Sequence, residues 1–263
     1  MRMAQNSLYR RIAADLREAI RAGQLQPGDR LPTEQELGTR YGVSRNTVRL
    51  AVAMLANEGA IVSTPGRGTF VRDRAVITYH ASWAEKRERL ASDQSDAYRA
   101  ELESQGRAPE YRGFEMRIVP ATAELAERLA VEVGDSLVSR GFLRLVDGEP
   151  ASIQDSYYPM DIAQECGLIT PHDIPQGTVR AMAEHGYTEV GYIDEITTRM
   201  PTPEEAAKLA LGTGAPVLVY ARTTYTKQRP LRLTLTIFAG DRNRVVYELG
   251  DLDAYNHQQQ AEQ

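Results

Sequence analysis

Arg45, Asn46, Thr47 and Arg49 hold the side chains of this sequence that could most readily do chemistry. Arginine can bond bidentately to guanine, asparagine can do the same to adenine, and threonine can reach a phosphate or a thymine methyl. Such readout needs a helix that turns these groups outward. The segment RNTVRLAVAMLANEG supplies one, because Val48, Ala51, Val52 and Leu55 recur as a single buried stripe. At 100° per residue, Arg45, Asn46 and Arg49 cover an arc of about 100° just off that stripe, near the helix start. Ser44 can cap the helix and Gly59 stops it. A solvated helix face would show a similar arc, so the neighbouring elements must decide between the two readings.

Upstream, Leu8, Ile12, Leu16 and Ile20 repeat at i, i+4 and predict an amphipathic first helix, with Arg10, Arg11, Arg17 and Arg21 off its apolar stripe. Gly23 ends it, and Pro27, Gly28 and Pro32 forbid its continuation. Thr33 followed by Glu36 is a capping box for a second helix, and Tyr41 and Gly42 make a tight turn. Helix, glycine turn and helix at this spacing is the geometry that presents a second helix to a major groove. Downstream, AIVSTPGRGTFVRD predicts two short strands joined by a turn at Pro65, Gly66, Arg67 and Gly68. The glycines allow close approach to a duplex, and Arg67 at the tip is placed for a minor groove or a phosphate.

The run LPTEQELGTRYGVSRNTVRLAVAMLANEGAIVSTPGRGTFV strongly resembles the winged helix-turn-helix domain of the GntR family of bacterial transcription regulators, over about residues 7–72. The resemblance implies that Arg45, Asn46, Thr47 and Arg49 contact double-stranded DNA from the recognition helix, and that Gly66 and Arg67 do so from the wing. Gln35 is a departure. Many members have Arg there, so one phosphate or base contact is weakened or altered.

The charge distribution supports a division of labour. Residues 1–74 hold 12 Lys+Arg against 7 Asp+Glu, a net +5, and the remainder holds 19 against 29, a net −10. A basic head on an acidic body is expected of an electrostatic DNA reader attached to something else. The whole chain, 263 residues with 42% hydrophobic and 25% charged side chains, has room for two cores and excludes fibrous and disordered classes. No apolar run approaches the roughly 20 residues of a membrane span and no signal peptide is visible, so a cytoplasmic protein without membrane contact is expected. One cysteine, Cys166, and four scattered histidines predict no disulfide, no metal site and no cofactor.

Beyond the head, residues 75–93 are expected to be a linker with a short helix, residues 94–253 a second domain, and residues 254–263 a flexible tail. A helix at about 95–105, a strand around FEMRIVP and a helix capped by Thr122 open the second domain. Asp147 and Gly148 suit a type I′ hairpin turn, whose register would pair Arg144 with Ala151 and place Arg140 opposite Asp155 as an ion pair. Thr178 follows Gly177 at a helix start whose free N–H groups could hold an anion, although a plain cap is the commoner meaning. Thr202 and Pro203 start another helix. On the closing strand PLRLTLTIFAG, Arg232, Thr234 and Thr236 form a polar stripe, by default a solvent face and otherwise the wall of a ligand cleft.

The order of these elements resembles the UTRA effector domain of the HutC subfamily, over about residues 94–250. The resemblance implies an α+β chain whose second domain is an antiparallel sheet with flanking helices, related to chorismate lyase, which binds a small metabolite and forms a homodimer. Residues matching the family's ligand positions are Arg144, Asp155 where Glu is usual, Thr178 in place of a helix-start Ser, and Tyr225. Two departures concern the ligand. Phe142 replaces a second Arg and Arg232 replaces Glu, which predicts an acidic or carbonyl group near Arg232 and an apolar portion against Phe142. The expected function is an effector-responsive transcriptional regulator, a repressor released from a palindromic operator. The alternatives are an enzyme with a lyase-like domain and a DNA binder without effector. His80, His172, His185 and His257 fall in no nucleophile or general-base motif, so no catalytic residue is assigned.

Overall fold

The computed structural model describes residues 2–64, 66, 68–72, 76–82, 97–174, 176–212 and 214–249. These divide into two units, one drawn from Met1–Ala75 and Met200–Pro216, the other from Val76–Arg199 and Val217–Gln263.

The first unit is α-helical with a small sheet. Helix α1 (Arg2–Arg21) begins several residues before the predicted stripe, α2 spans Glu34–Tyr41 and α3 spans Arg45–Asn57. The caps are those expected: Thr33 and Glu36 form a complete capping box, Ser44 accepts from the Thr47 N–H, and Gly42 takes a left-handed φ of 64° between the helices. Ile12, Leu16, Leu37, Val48, Ala51 and Leu55 form the core, each at most 3% exposed. Burial of this order supplies most of the stability of short helices that are marginal alone. Off the apolar stripe of α1, Arg17 makes a two-point contact with Glu58 at the end of α3, at 2.7 and 3.0 Å. Strands β1 (Ile61–Thr64) and β2 (Gly68–Val71) pair antiparallel, and Arg30 bridges to Phe70. Gly68 suits its place because its φ of 119° strains any residue with a Cβ, and the Arg30 guanidinium lies against it. The segment Met200–Pro216, whose helix is capped by Thr202 in a second capping box with Pro203 at its first turn, groups with this unit and not with the second.

The second unit is built on six antiparallel strands. In chain order its elements are β3 (Ile77–His80), α4 (Ala97–Ser104), β4 (Pro109–Pro120), α5 (Ala123–Leu129), β5 (Ser136–Val146), β6 (Glu149–Pro159), α6 (Met160–Glu165), α7 (Thr178–Glu184) and β7 (Gly191–Arg199). After α8 (Pro203–Lys208), which belongs to the first unit, come β8 (Val217–Tyr225), β9 (Pro230–Ala239) and β10 (Asn243–Val246). The sheet order is β4-β5-β6-β9-β8-β7, with β3 and β10 forming a separate parallel pair. The stretch expected to be only linker and helix therefore contains a strand. Its partner lies at the far end of the sequence, which local patterning cannot reveal.

The β5–β6 hairpin corrects one expectation. Asp147 and Gly148 do take left-handed φ values of 53° and 80°, and Val146 faces Glu149. A bulge follows at once, so Arg144 faces Ser152 and Arg140 faces Ser156, not Asp155. One extra residue on β6 sends every later side chain to the other partner and breaks the predicted ion pair. Arg140 is 3% exposed and donates instead to the carbonyls of Leu168, Thr170 and His172 at 2.8, 3.1 and 2.8 Å, which fixes the loop after α6.

Candidate nucleic-acid interface and ligand cleft

On α3 the buried stripe turns Arg45, Asn46 and Arg49 to the surface, with the two arginine side chains 81% and 69% exposed. Glu34 of α2 organises them. Its carboxylate accepts from Arg45 Nε at 2.6 Å and stands 3.8 Å from Arg49 Nε. Thr47 differs from its neighbours: it is 2% exposed and its hydroxyl lies 2.9 Å from that of Ser44. It belongs to the helix cap rather than to the outward face, because position 47 is adjacent to Val48 on the buried arc. Gly66 lies in the turn between β1 and β2, whereas Arg67 and Pro65 lie outside the described residues.

In the second unit, alternation along each strand divides the sheet into two faces. Helix α5 covers one face, where Leu125, Ala126 and Leu129 pack on Leu137, Ala221 and Leu233. Among the described residues, two apolar caps lie on the other face. At one end α6 and α7 bury Val138 and Tyr158 under Ile162 and Met182; at the other, β3 and β10 bury Tyr220 and Phe238 under Ala81 and Val245. Polar side chains lie between these two caps. Register sets Asp194, Arg222, Thr234, Ser156 and Arg140 side by side on β7, β8, β9, β6 and β5. Ser156 and Thr234 are 3.0 Å apart, oxygen to oxygen, and Ser156, Thr224 and Thr236 are 5%, 1% and 3% exposed. The polar stripe of β9 is thus no solvent face, and the default reading of it fails.

At the helix-capped end, Tyr158 donates to Thr178 Oγ1 at 3.1 Å, and Arg232 reaches Glu189 at 2.8 Å. Burial works against the charge of Arg232, but the Glu189 carboxylate and the Tyr158 hydroxyl outweigh it and keep this guanidinium more basic than a free one, with Arg222 opposing. Its Nε is buried without a hydrogen-bond partner among the described residues. Thr178, Arg232, Tyr158 and Glu189 therefore form one cluster, of which the first two were candidates and the last two were missed. A tyrosine on a strand of mixed composition and a glutamate in a loop carry no sequence signal.

The other candidates are placed elsewhere. Arg144 stacks in an aromatic cage, 4.1 Å from the centroid of Tyr98 and 5.4 Å from that of Phe142. Six residues separate it along β5 from Val138, the neighbour of Tyr158, so at about 3.3 Å per residue it lies roughly 20 Å along the sheet from the Arg232 cluster. Phe142 faces Gln154, which faces Thr236, roughly 13 Å along the strands from Arg232 and two strands away. A ligand touching both would have to be extended along the sheet. Asp155 lies on the α5 face, opposite Gly141, and takes contacts from Arg117 at 3.1 Å and Ser139 at 3.4 Å. Tyr225 stands beside a bulge at the end of β8, facing Pro230 and Gly191.

A winged helix with outward arginines and a second unit with a buried row of polar side chains fit a DNA-binding regulator that carries a ligand domain. The family comparisons agree: residues 8–71 match the bacterial regulatory proteins of the gntR family, and residues 104–244 match the UTRA domain. The chain belongs to the GntR family of transcriptional regulators and carries a UTRA effector-binding domain. It is 28% identical over 247 residues to the HTH-type transcriptional repressor NagR of Bacillus subtilis (strain 168), covering 93% of this chain and 96% of that one. It is 32% identical over 250 residues to an uncharacterised HTH-type transcriptional regulator of Rhizobium meliloti (strain 1021), covering 92% and 95%. The crystal structure of PhnF from Mycobacterium smegmatis shares the fold, with a TM-score of 0.56 at 20% identity over 91% of this chain and 99% of that one. No helix among the described residues is long and apolar enough to cross a membrane.

Proposed function

We propose that this regulator is a homodimeric, cytoplasmic repressor of the HutC subfamily, without catalytic activity, which holds a palindromic operator until a small metabolite enters the cleft of its second unit. Arg45, Asn46 and Arg49 read bases, Gly66 and Arg67 of the wing approach the backbone or minor groove, and Thr47 supports the helix cap. The observation that carries the effector half of this reading is the buried polar row between two apolar caps, since a binding site needs convergent polar groups in an otherwise closed, apolar setting. The ligand engages Thr178, Tyr158 and Arg232 through an acidic or carbonyl group that competes with Glu189 for the guanidinium. Arg144 and Tyr225 act on parts of the ligand distant from that group, whereas Asp155, on the opposite face of the sheet, holds Arg117 and Ser139.

A thermal-shift screen with sugar phosphates and apolar carboxylates tests the site, because a ligand at 100 times its Kd stabilises the folded state by about 2.7 kcal/mol. The expected result is stabilisation by an anionic compound that is lost in Arg232→Ala, with the same compound releasing labelled operator DNA. Stabilisation undiminished in Arg232→Ala would remove the cluster from the site. The relative NagR is named a transcriptional repressor, which supports the repressor half of this reading.

A further inference from the structure

Strand β3 begins at Ile77, a few residues after the wing strand β2 ends at Val71, and is the first strand of the second unit in chain order. Its attachment is elaborate for a strand of four residues. It pairs in parallel with β10, from Ile77 with Asn243 to His80 with Val246. Arg244 donates to Thr78 Oγ1 at 2.9 Å, and the His80 N–H donates to the buried Glu101 carboxylate at 2.9 Å. Tyr79 packs on Tyr220 and Phe238, with ring centroids 5.7 and 5.6 Å apart.

The residue after the strand is held by the sheet itself. Arg222 Nη2 donates to the Ala81 carbonyl at 3.0 Å, while Nε and Nη2 both bond the Asp194 carboxylate at 2.7 Å. Asp194 also accepts from the Tyr220 and Tyr247 hydroxyls, each at 2.8 Å, and the Arg222 guanidinium stands 3.8 Å over the ring of Tyr192. Both charges are shut from water, with side chains 8% and 10% exposed. A buried pair whose remaining donors and acceptors are satisfied keeps one geometry, and loss of one partner leaves an uncompensated charge. Burial pushes the Tyr247 hydroxyl up to about 12, so it remains a donor throughout the physiological range.

This pair stands in the same cross-strand row as the cleft hydroxyls of Thr234 and Ser156, and one row from Arg232, whose charge Arg222 already opposes. We propose that Asp194 and Arg222 are positioning residues that clasp the linker strand to the effector sheet, and that the state of the cleft reaches the DNA-binding head by tightening or loosening this clasp. The proposal rests on the cleft being the effector site. An acid entering beside Arg232 changes the field on Arg222, and the group that responds holds the backbone at Ala81.

The experiment needs no effector. Amide hydrogen exchange is measured on the full chain for wild type, Asp194→Asn and Tyr247→Phe, together with affinity for full-site and half-site DNA selected by the wild type from a random pool. Asp194→Asn is expected to speed exchange in residues 77–81 and 243–246 at least tenfold, with residues 137–146 unchanged. It should weaken full-site binding at least fivefold and leave half-site binding as it was, because the recognition surface is intact. If Asp194→Asn also speeds exchange throughout the sheet, Tyr247→Phe decides, with the same pattern at smaller size. Unchanged exchange in the linker strand overturns the clasp, and faster exchange with an unchanged ratio of full-site to half-site affinity overturns its coupling to the head. Wild type that binds both sites equally would instead refute the dimer reading, and a cleft that takes no metabolite would show in the thermal screen while leaving these results untouched.

Discussion

At the scale of single residues, the recognition helix separates three duties within five positions. Arg49 and Asn46 face outward, and replacing either with Ala is expected to cost about 1–3 kcal/mol at preferred bases while leaving random DNA little affected. Binding assays on selected and scrambled sequences measure this, and equal losses on both would reassign the residue to phosphate contact. Glu34 holds Arg45 by a carboxylate on the surface proposed to meet DNA, so Glu34→Gln should strengthen binding to all sequences and steepen its salt dependence. Ser44 and Thr47 maintain the helix start. Ser44→Ala should lower the stability of the head by about 0.5–2 kcal/mol in a denaturant titration without changing base preference. The caps and the outward arc were legible in the sequence because each depends on neighbours within four residues. The burial of Thr47 was not, since it depends on the packing around α3 and not on the helix alone.

At the scale of elements, strand pairing is tight where the sequence shows only glycine. A Cβ at Gly141 would meet Asp155 Oδ1 at 2.3 Å and the Gln154 carbonyl at 3.2 Å. Gly141→Ala is therefore expected to displace Asp155 from Arg117 and Ser139 and to cost about 1–3 kcal/mol in stability. Acid should weaken a second junction. Arg229, in the turn between β8 and β9, bonds Asp161 of α6 at 2.6 and 3.0 Å and holds its carboxyl below the usual range. A depressed carboxylate stabilises the fold above its unfolded value and loses that contribution as pH falls through the folded one. The pair should therefore stabilise the native state above about pH 4 and fade below it. Comparing the pH dependence of unfolding for wild type and Asp161→Asn checks this, the two curves converging in acid.

At the scale of the whole molecule, charge is divided so that the basic head carries the DNA affinity of a chain whose net charge is −5. Binding should fall steeply with salt, with a log-log slope of about −0.9 for each phosphate neutralised, and Arg67→Ala should flatten that slope by about one unit. An unchanged slope and affinity would take the wing tip out of the interface.

The sequence by itself determined the head: its periodic stripes, capping residues and glycine turns act over a few positions, so identity and spacing were enough to give helix, turn, helix and wing. It also determined the hairpin turn at Asp147 and Gly148. Only the tertiary structure decided the buried polar row of the second unit. A single bulge after that turn reassigned the partners of Arg140 and Arg144, and the buried polar row exists because five strands set Asp194, Arg222, Thr234, Ser156 and Arg140 in register. Glu189 reaches Arg232 across 43 residues, and the linker strand finds its partner 166 positions away. Such contacts depend on register and on which face each side chain takes, and a shift of one residue reverses both.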